Sequence, residues 1–529
     1  VDSRQPNSQR LTLFVVLFVV LLCAVGGFLR YTIASSEQFW LDELHTGWVV
    51  GSTLDEVSPR AGIGNQAPLF FWMTWFARTS FDSPELSVRL VSMVASLLAI
   101  VFSSWFVWKW TRSGVGTCVV AVLTSIGVSF VQYGTEARPY AMLHLFGALH
   151  FAIFFDWIAP RSGLVAGNDQ KRFNWIHCVL LAIVSAMLVY THVTSISLFA
   201  AEFVLLVVVW VFGTKKPRGV ILGLICAVIL TGVICFPLIA NSLEVFERRG
   251  NWAGVSDISR VWFGFRSDVL ICLAVPLVAL LVDRLFARGE KEVDSMVGNA
   301  PSNFLLVGVM LWAIVPIVAL VVADLVSIPM ALPRYAQIGT IAFPVFAAVV
   351  IGRLRVPAVK YLSAVLVLCF SVCFNPIVMF AVENGELPLS RFEDWKMPIS
   401  QINAGDSKSE HPIFLFSNLI EDVDATENQD SAFQDYLKFP VTSIYPLNNR
   451  DVFPRPTMVF KGHFVDDDLE MIQQKGGAWV LVRAQPDFVD EIANEVSQLL
   501  TKNGAATKPV ETRVLCGPDS DVYLISVDW

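Results

Sequence analysis

Apolar runs of membrane-spanning length recur through the first 380 or so positions, separated by short charged segments. A helix needs about 20 such residues to cross a bilayer. In lipid every backbone N–H and C=O must be satisfied within the protein, so runs of this kind fold as a bundle of spanning helices. Eleven segments qualify: 11–29, 89–108, 115–133, 139–157, 175–191, 194–212, 219–240, 268–286, 303–323, 335–351 and 358–380. The stretch 66–81 does not, because Pro68 and Arg78 leave it a short apolar core. It is predicted to be a re-entrant or interfacial helix. The first run follows Arg4 and Arg10, is too long for a signal-peptide core and lacks a small-x-small cleavage site, so it reads as a retained helix. Composition agrees: 16% of the residues are charged, against about 25% in soluble chains.

The charges between runs give a direction. With the N-terminus inside and eleven crossings, the inner loops hold Lys109 and Arg112; Arg161, Lys171 and Arg172; Lys215, Lys216 and Arg218; Arg284, Arg288 and Lys291; and Arg353, Arg355 and Lys360. Every inner loop is basic, as the positive-inside rule requires. Trp108, Trp110, Trp157, Trp175 and Trp210 flank these loops as an aromatic belt. The formal net charge of −8 argues against a nucleic-acid-binding surface, and no nucleic-acid partner is expected. Eight of the nine cysteines fall in apolar runs, where Cys behaves as a small hydrophobe; Cys516 stands alone.

The expected division is a transmembrane domain over 1–380 and a small extracytoplasmic α/β domain over 381–529. β-type runs at Ile413 to Phe416, Trp479 to Val482 and Val522 to Ile525, with an amphipathic helix from Pro486 to Leu500, support the second.

Ionisable residues beside spans are expensive and are functional candidates by default. They gather on the outer side. The first outer loop contains Trp40-Leu41-Asp42-Glu43-Leu44-His45. These acids also fit the first turn of a helix. An outer turn contains Glu136-Ala137-Arg138-Pro139-Tyr140, which also fits an ion pair ahead of a helix start. Arg89, His192, Arg334 and Tyr335 lie at other outer helix ends, where anchoring is an alternative role; Arg248, Arg249, Arg260 and Arg266 occupy one outer loop. His144 and His150 lie inside a span and read as hydrogen-bonded interior histidines.

At these motifs the chain resembles the GT-C superfamily of membrane glycosyltransferases, in the branch of the dolichyl-phosphate-mannose–protein mannosyltransferases and the bacterial aminoarabinose transferases. The resemblance rests on an ordered set: Trp40-Leu41-Asp42-Glu43; Ala67-Pro68-Leu69-Phe70-Phe71-Trp72 followed by Ser87-Val88-Arg89-Leu90-Val91-Ser92; Glu136-Ala137-Arg138-Pro139-Tyr140; and Pro333-Arg334-Tyr335. Gln66-Ala67-Pro68 stands where family members often carry His-Pro-Pro.

The resemblance implies a polyprenyl-phosphate-sugar donor, inversion at the anomeric carbon, and catalytic acids in the first outer loop and at the second outer turn. Asp42, Glu43 and Glu136 are then the catalytic candidates. Arg138, Arg334 and Arg89 are the donor-phosphate candidates, since guanidinium grips phosphate bidentately. Trp40, His45, Tyr140, His192 and Tyr335 would line the substrate pocket. Some relatives bind a divalent cation near these acids, which makes Asp42 and Glu136 its candidate ligands here. The acceptor is a glycan, lipid or protein, and the setting a bacterial inner membrane with the N-terminus cytoplasmic. Two other classes are open: a flippase for a lipid-linked sugar, or a membrane sensor or structural protein.

Overall fold

The computed structural model describes residues 5–162, 175–213, 218–248, 266–286, 303–326, 332–385, 393–405, 410–428, 430–448, 451–457, 463–502, 513–515 and 521–529. Lys171, Arg172, Lys215, Lys216, Arg249, Arg260, Arg288, Lys291 and Cys516 lie outside the described residues.

In chain order the main helices are α1 (Gln5–Ser36), α2 (Leu41–Val50), α3 (Leu54–Ile63), α4 (Leu69–Ala77), α5 (Pro84–Thr111), α6 (Gly114–Ile126), α7 (Val128–Thr135), α8 (Tyr140–Ile158), α9 (Trp175–Thr191), α10 (Ile196–Phe212), α11 (Arg218–Arg248), α12 (Arg266–Phe286), α13 (Asn303–Leu325), α14 (Ala342–Arg353), α15 (Pro357–Cys373), α16 (Pro376–Asn384), α17 (Lys396–Ala404), α18 (Ser431–Leu437), α19 (Phe439–Thr442), α20 (Asp466–Lys475) and α21 (Pro486–Lys502). Compactness divides the chain into two units. A helical unit takes Val1–Ala34, Ala67–Phe70 and Arg89–Pro388; a mixed unit takes Ser35–Gln66, Phe71–Val88 and Leu389–Trp529. The first loop therefore groups with the C-terminal region.

The chain is an integral membrane protein with multiple spans. Among the described residues seven single helices are long and apolar enough to cross a bilayer, or nine spans if each of two bent pairs counts as one. That is fewer than the eleven expected. The other two segments are also helical: α9 has 17 residues, and α12 carries charged residues at both ends. Helix α4, in the stretch read as re-entrant or interfacial, has nine residues, roughly 13 Å, and is too short to cross. Arg78 just beyond it lies over the Trp75 ring at 3.9 Å and donates to the Trp75 carbonyl. Burial separates central from peripheral spans. The apolar stretch of Tyr140–Arg161 is 83% buried and that of Pro333–Arg353 is 89% buried, against 11% for Arg10–Ser36.

Both bent pairs have a local cause. Helices α6 and α7 meet at 49° across Gly127, where an added Cβ would lie 2.4 Å from the Leu123 carbonyl. Helices α15 and α16 meet at 53° across Asn375, followed by Pro376. Proline lacks an N–H and drives the preceding residue out of the helical region.

A helix end leaves four carbonyls without intrahelical partners, and in lipid they cannot be left so. Those of α6 are all met. Leu123 accepts from the Gly127 N–H at 3.0 Å. Thr124 and Ser125 accept from Arg30 Nη2 and Nη1 at 3.2 and 2.9 Å. Ile126 accepts from Asn375 Nδ2 at 2.7 Å. Arg30 is fully buried, and its remaining N–H groups reach the Gly26 and Phe130 carbonyls and Ser96 Oγ. Its five donors thus have five acceptors.

The mixed unit contains a five-stranded sheet in the order β2-β1-β3-β5-β4, with β1 (Ile413–Phe416), β2 (Val452–Pro454), β3 (Gly477–Arg483), β4 (Arg513–Leu515) and β5 (Val522–Asp528). Strands β2, β1 and β3 are parallel; β5 runs antiparallel to β3 and β4. In register, Phe414 faces Phe453 on β2 and Val480 on β3. All four β1 residues are buried, as in a central parallel strand. Helix α21 buries Val489, Ile492, Val496 and Leu500, one stripe at helical spacing, within a core shared with Phe414, Val480, Val482 and Ile525.

Candidate active site

In the helical unit the turn between α7 and α8 forms because α7 ends at Thr135. Glu136 takes an extended conformation, and the Arg138 N–H donates to the Glu136 carbonyl at 2.7 Å. Pro139 caps α8 and accepts from the N–H groups of Met142 and Leu143. The Arg138 carbonyl accepts from Ser92 Oγ at 3.0 Å. The Glu136 and Arg138 side chains are both buried. A carboxylate and a guanidinium are therefore held on a turn with fixed backbone bonds.

Tyr140 follows, and its ring begins a file. Tyr140 lies 5.9 Å from the His192 ring, and His192 lies 5.3 Å from Tyr335. The Arg334 guanidinium is 5.6 Å from the Tyr335 ring centre. Four sequence candidates from three separate parts of the chain are brought together. His192 stands at the break between α9 and α10, where its Nδ1 accepts from the Thr194 N–H at 3.3 Å. In the neutral ring Nε2 therefore carries the proton.

Arg89 is placed differently. Its side chain is buried and Nη1 donates to the Ala34 carbonyl at 2.8 Å.

In the mixed unit, Asp42 and Glu43 occupy the first turn of α2, the helix start that the sequence allowed. Negative charge there is favoured by the helix dipole. Asp42 is half-buried and Glu43 buried. Trp40 stands at the cap position with no side-chain capping bond. His45 is enclosed: the rings of Trp48, Phe71, Tyr436 and Phe439 lie 5.4 to 6.0 Å from it. Gly64 packs so closely over this imidazole that an added Cβ would lie 2.3 Å from Nε2.

Two carboxyls in the mixed unit are pushed up. Asp521 is raised by burial and then by the neighbouring Glu393 carboxylate, with Arg483 opposing. Asp394 is raised by burial, opposed by backbone N–H groups and Lys396.

The interior histidines are hydrogen-bonded, as expected. His150 bonds Glu202 Oε1 through Nδ1 at 2.8 Å and Ser185 Oγ through Nε2 at 2.7 Å, joining α8, α10 and α9. His144 Nε2 meets Gln337 Oε1 at 2.9 Å, and Gln337 Nε2 donates to the Pro333 carbonyl at 2.8 Å. That places Gln337 as the brace of the Pro333–Ala336 turn carrying Arg334. Sequence reasoning passed over Gln337, and also Arg30, whose only local signal is a cation at the end of an apolar run.

Among the described residues no three His, Cys, Asp or Glu side chains gather as a metal-binding set. Asp42 and Glu136, the expected ligands, belong to different units.

No protein-family model matches the sequence, and no curated protein matches it. Solved structures do. The archaeal oligosaccharyltransferase AglB from Archaeoglobus fulgidus, in complex with an inhibitory peptide and a dolichol-phosphate, superposes with a TM-score of 0.53 at 8% identity, over 89% of this chain and 69% of that one. The same enzyme in its apo form gives a TM-score of 0.52 at 9% identity, over the same shares of the two chains. The aminoarabinose transferase ArnT from Cupriavidus metallidurans, bound to undecaprenyl phosphate, gives a TM-score of 0.39 at 13% identity, over 97% of this chain and 98% of that one. At such identities what is shared is the fold, and the fold is similar to that of the archaeal oligosaccharyltransferase AglB.

Proposed function

We propose that this chain is an inverting glycosyltransferase that moves a sugar from a polyprenyl-phosphate carrier to an acceptor hydroxyl at the extracytoplasmic face. Fold alone does not give function. The observation that carries the reading is the file Tyr140–His192–Tyr335–Arg334 in the helical unit, beside the turn bearing Glu136 and Arg138. An oligosaccharyltransferase of similar fold holds a dolichol-phosphate, which supports a lipid phosphate as the donor class. The same reading adds α9 and α12 to the nine clear spans as crossings, with the basic loops on the cytoplasmic side of a bacterial inner membrane.

In the step itself the acceptor oxygen attacks the anomeric carbon as the bond from that carbon to the phosphate oxygen breaks, through an oxocarbenium-like transition state. Asp42 takes the acceptor proton, with Glu43 orienting it. The lipid phosphate leaves with its electron pair and needs no general acid, only positive charge. Arg138 and Arg334 supply that charge, with Arg89 behind them. Glu136 orients the acceptor or an arginine. Tyr140, His192 and Tyr335 shape the pocket on the helical unit. Among the described residues no three metal ligands gather, and the step is written without a cation. The acceptor is a glycan, lipid or protein, and the C-terminal region contributes to its selection.

The test is transfer of radiolabelled sugar from mixed polyprenyl-phosphate sugars to native membrane extract, by purified wild type and Asp42→Asn. Asp42→Asn should lose about 10²–10⁴-fold in turnover while staying folded. Equal transfer by both would remove Asp42 as the base and bring Glu43 and Glu136 forward.

One observation favours a second reading. Bent helix pairs are a feature of transporters, and two occur here. Flux of a lipid-linked sugar across liposomes, without transfer, would establish a flippase. Against it, the carbonyls that the first bend releases are already engaged by Arg30 and Asn375.

A further inference from the structure

Helix α2 starts without a cap from its own sequence, since Trp40 makes no side-chain capping bond. The N–H of Leu41, its first residue, donates instead to Glu393 Oε2 at 2.9 Å, from a residue 352 positions away. The same oxygen accepts from Trp395 Nε1 at 3.1 Å. The other oxygen is held by Arg483, through Nε at 2.8 Å and Nη2 at 2.7 Å. Arg483 ends β3 of the sheet. The Glu393 side chain is 8% exposed. A buried carboxylate, oriented by a two-pronged guanidinium contact, therefore ties the sheet to the first N–H of α2.

A second tether lies two residues earlier. The Phe39 N–H donates to the Tyr445 hydroxyl at 3.3 Å, and that hydroxyl donates to Glu85 Oε1 at 3.0 Å. Residues 39–41 are thus held at both ends by side chains from the C-terminal region. Asp42 is the next residue. Uncapped helix ends fray, and fraying of one turn would release Asp42 and Glu43 together.

We infer that Glu393 is a positioning residue for Asp42: it caps α2 in place of a local side chain and fixes where the acceptor-facing carboxylate stands. The inference rests on reading Asp42 as the base. Glu393 itself touches no reacting atom. The C-terminal region then contributes to the chemistry through α2 as well as to the choice of acceptor.

The test uses the full-length protein in detergent: wild type, Glu393→Ala, Glu393→Gln and Arg483→Met. Two readouts are taken, steady-state transfer and amide hydrogen exchange. Displacing a reacting group by about 1 Å can cost about 10²-fold, so Glu393→Ala should lower kcat by about 10–100-fold. The apparent KM for the donor should hold, because Arg138 and Arg334 are untouched. Amides 41–44 should exchange faster while those of β3 keep their protection. Glu393→Gln keeps an oxygen for the Leu41 N–H and should recover most of kcat. Arg483→Met leaves that oxygen in place and should cost less than Glu393→Ala.

Unchanged kcat and unchanged exchange at 41–44 in Glu393→Ala would overturn the inference. So would an equal loss of protection in β3, or an equal loss of kcat in Arg483→Met, either of which would make Glu393 a fold-holding residue only. If wild type transfers no sugar, the functional reading falls by itself. Exchange at 41–44 then still decides whether Glu393 caps α2.

Discussion

Backbone groups that regular structure leaves open are met differently in the two units. In the helical unit the bend after α6 opens carbonyls inside a span, and Arg30 from α1 and Asn375 from the second bend close them. Both side chains are buried, and both act through hydrogen bonds to backbone. In the mixed unit the open N–H at the start of α2 is met by Glu393, which is itself gripped by Arg483. A buried guanidinium among carbonyls serves inside the spans, where lipid cannot donate. A paired carboxylate serves the other unit, where water and counter-charges are within reach. The contrast teaches that a polar side chain in the spans should be tested first as a cap and only then as a ligand.

Three substitutions would break or sharpen this contrast. Arg30→Met should have the largest effect on the fold, because it leaves the Thr124 and Ser125 carbonyls buried without the guanidinium that meets them, while Phe130 keeps Ser96 Oγ. Each unsatisfied group costs about 1–3 kcal/mol, so the loss for two should be about 2–6 kcal/mol. It is read as a large fall in Tm in detergent. A Tm within about 2 °C of wild type would show that the bend needs no guanidinium.

Asp422 probes the mixed unit. Burial raises its carboxyl from 3.8 to about 6, opposed by hydrogen bonds from Thr457. The protonated form is therefore favoured in the folded state. Its contribution to stability is full below about pH 3.8 and is lost as the pH rises through about 6. At about 1.4 kcal/mol per pH unit the change is about 3 kcal/mol. Thermal unfolding of wild type should move to lower temperature from pH 4 to pH 7, and Asp422→Asn should flatten that slope. An unchanged slope in the variant would place the titration elsewhere.

Arg334→Ala should have the smallest effect. It should weaken donor binding about tenfold, or about 1.4 kcal/mol, with little change in Tm. Unchanged apparent donor affinity would return Arg334 to the class of helix-end anchors.

Much of this architecture is legible locally. The strand runs at Ile413, Trp479 and Val522 and the helix from Pro486 appear where alternation and periodicity put them. The short strands at Val452 and Arg513 are too brief to carry a pattern. Hydropathy placed helices at all eleven apolar segments, yet length and charge reduce the clear spans to between seven and nine. In the site, the file through Tyr140, His192 and Tyr335 joins candidates chosen one by one for their charge or ring. What could not be read was partnership at long range. Glu393 sits 352 residues from the N–H it caps, and Arg30 sits 95 from Ser125. No spacing rule reaches that far.

Asn375 does two jobs with one amide. Its Oδ1 accepts from the Ile377 N–H and so starts α16, while its Nδ2 donates to Ile126 at the end of α6. The two bends are therefore latched. Straightening either pair unpins the other, so they behave as one joint with two leaves. The short leaf α7 ends at Thr135, beside Glu136. The stance of that carboxylate is thus set partly by a proline-made kink more than two hundred residues downstream, and a bilayer that strains one kink strains both.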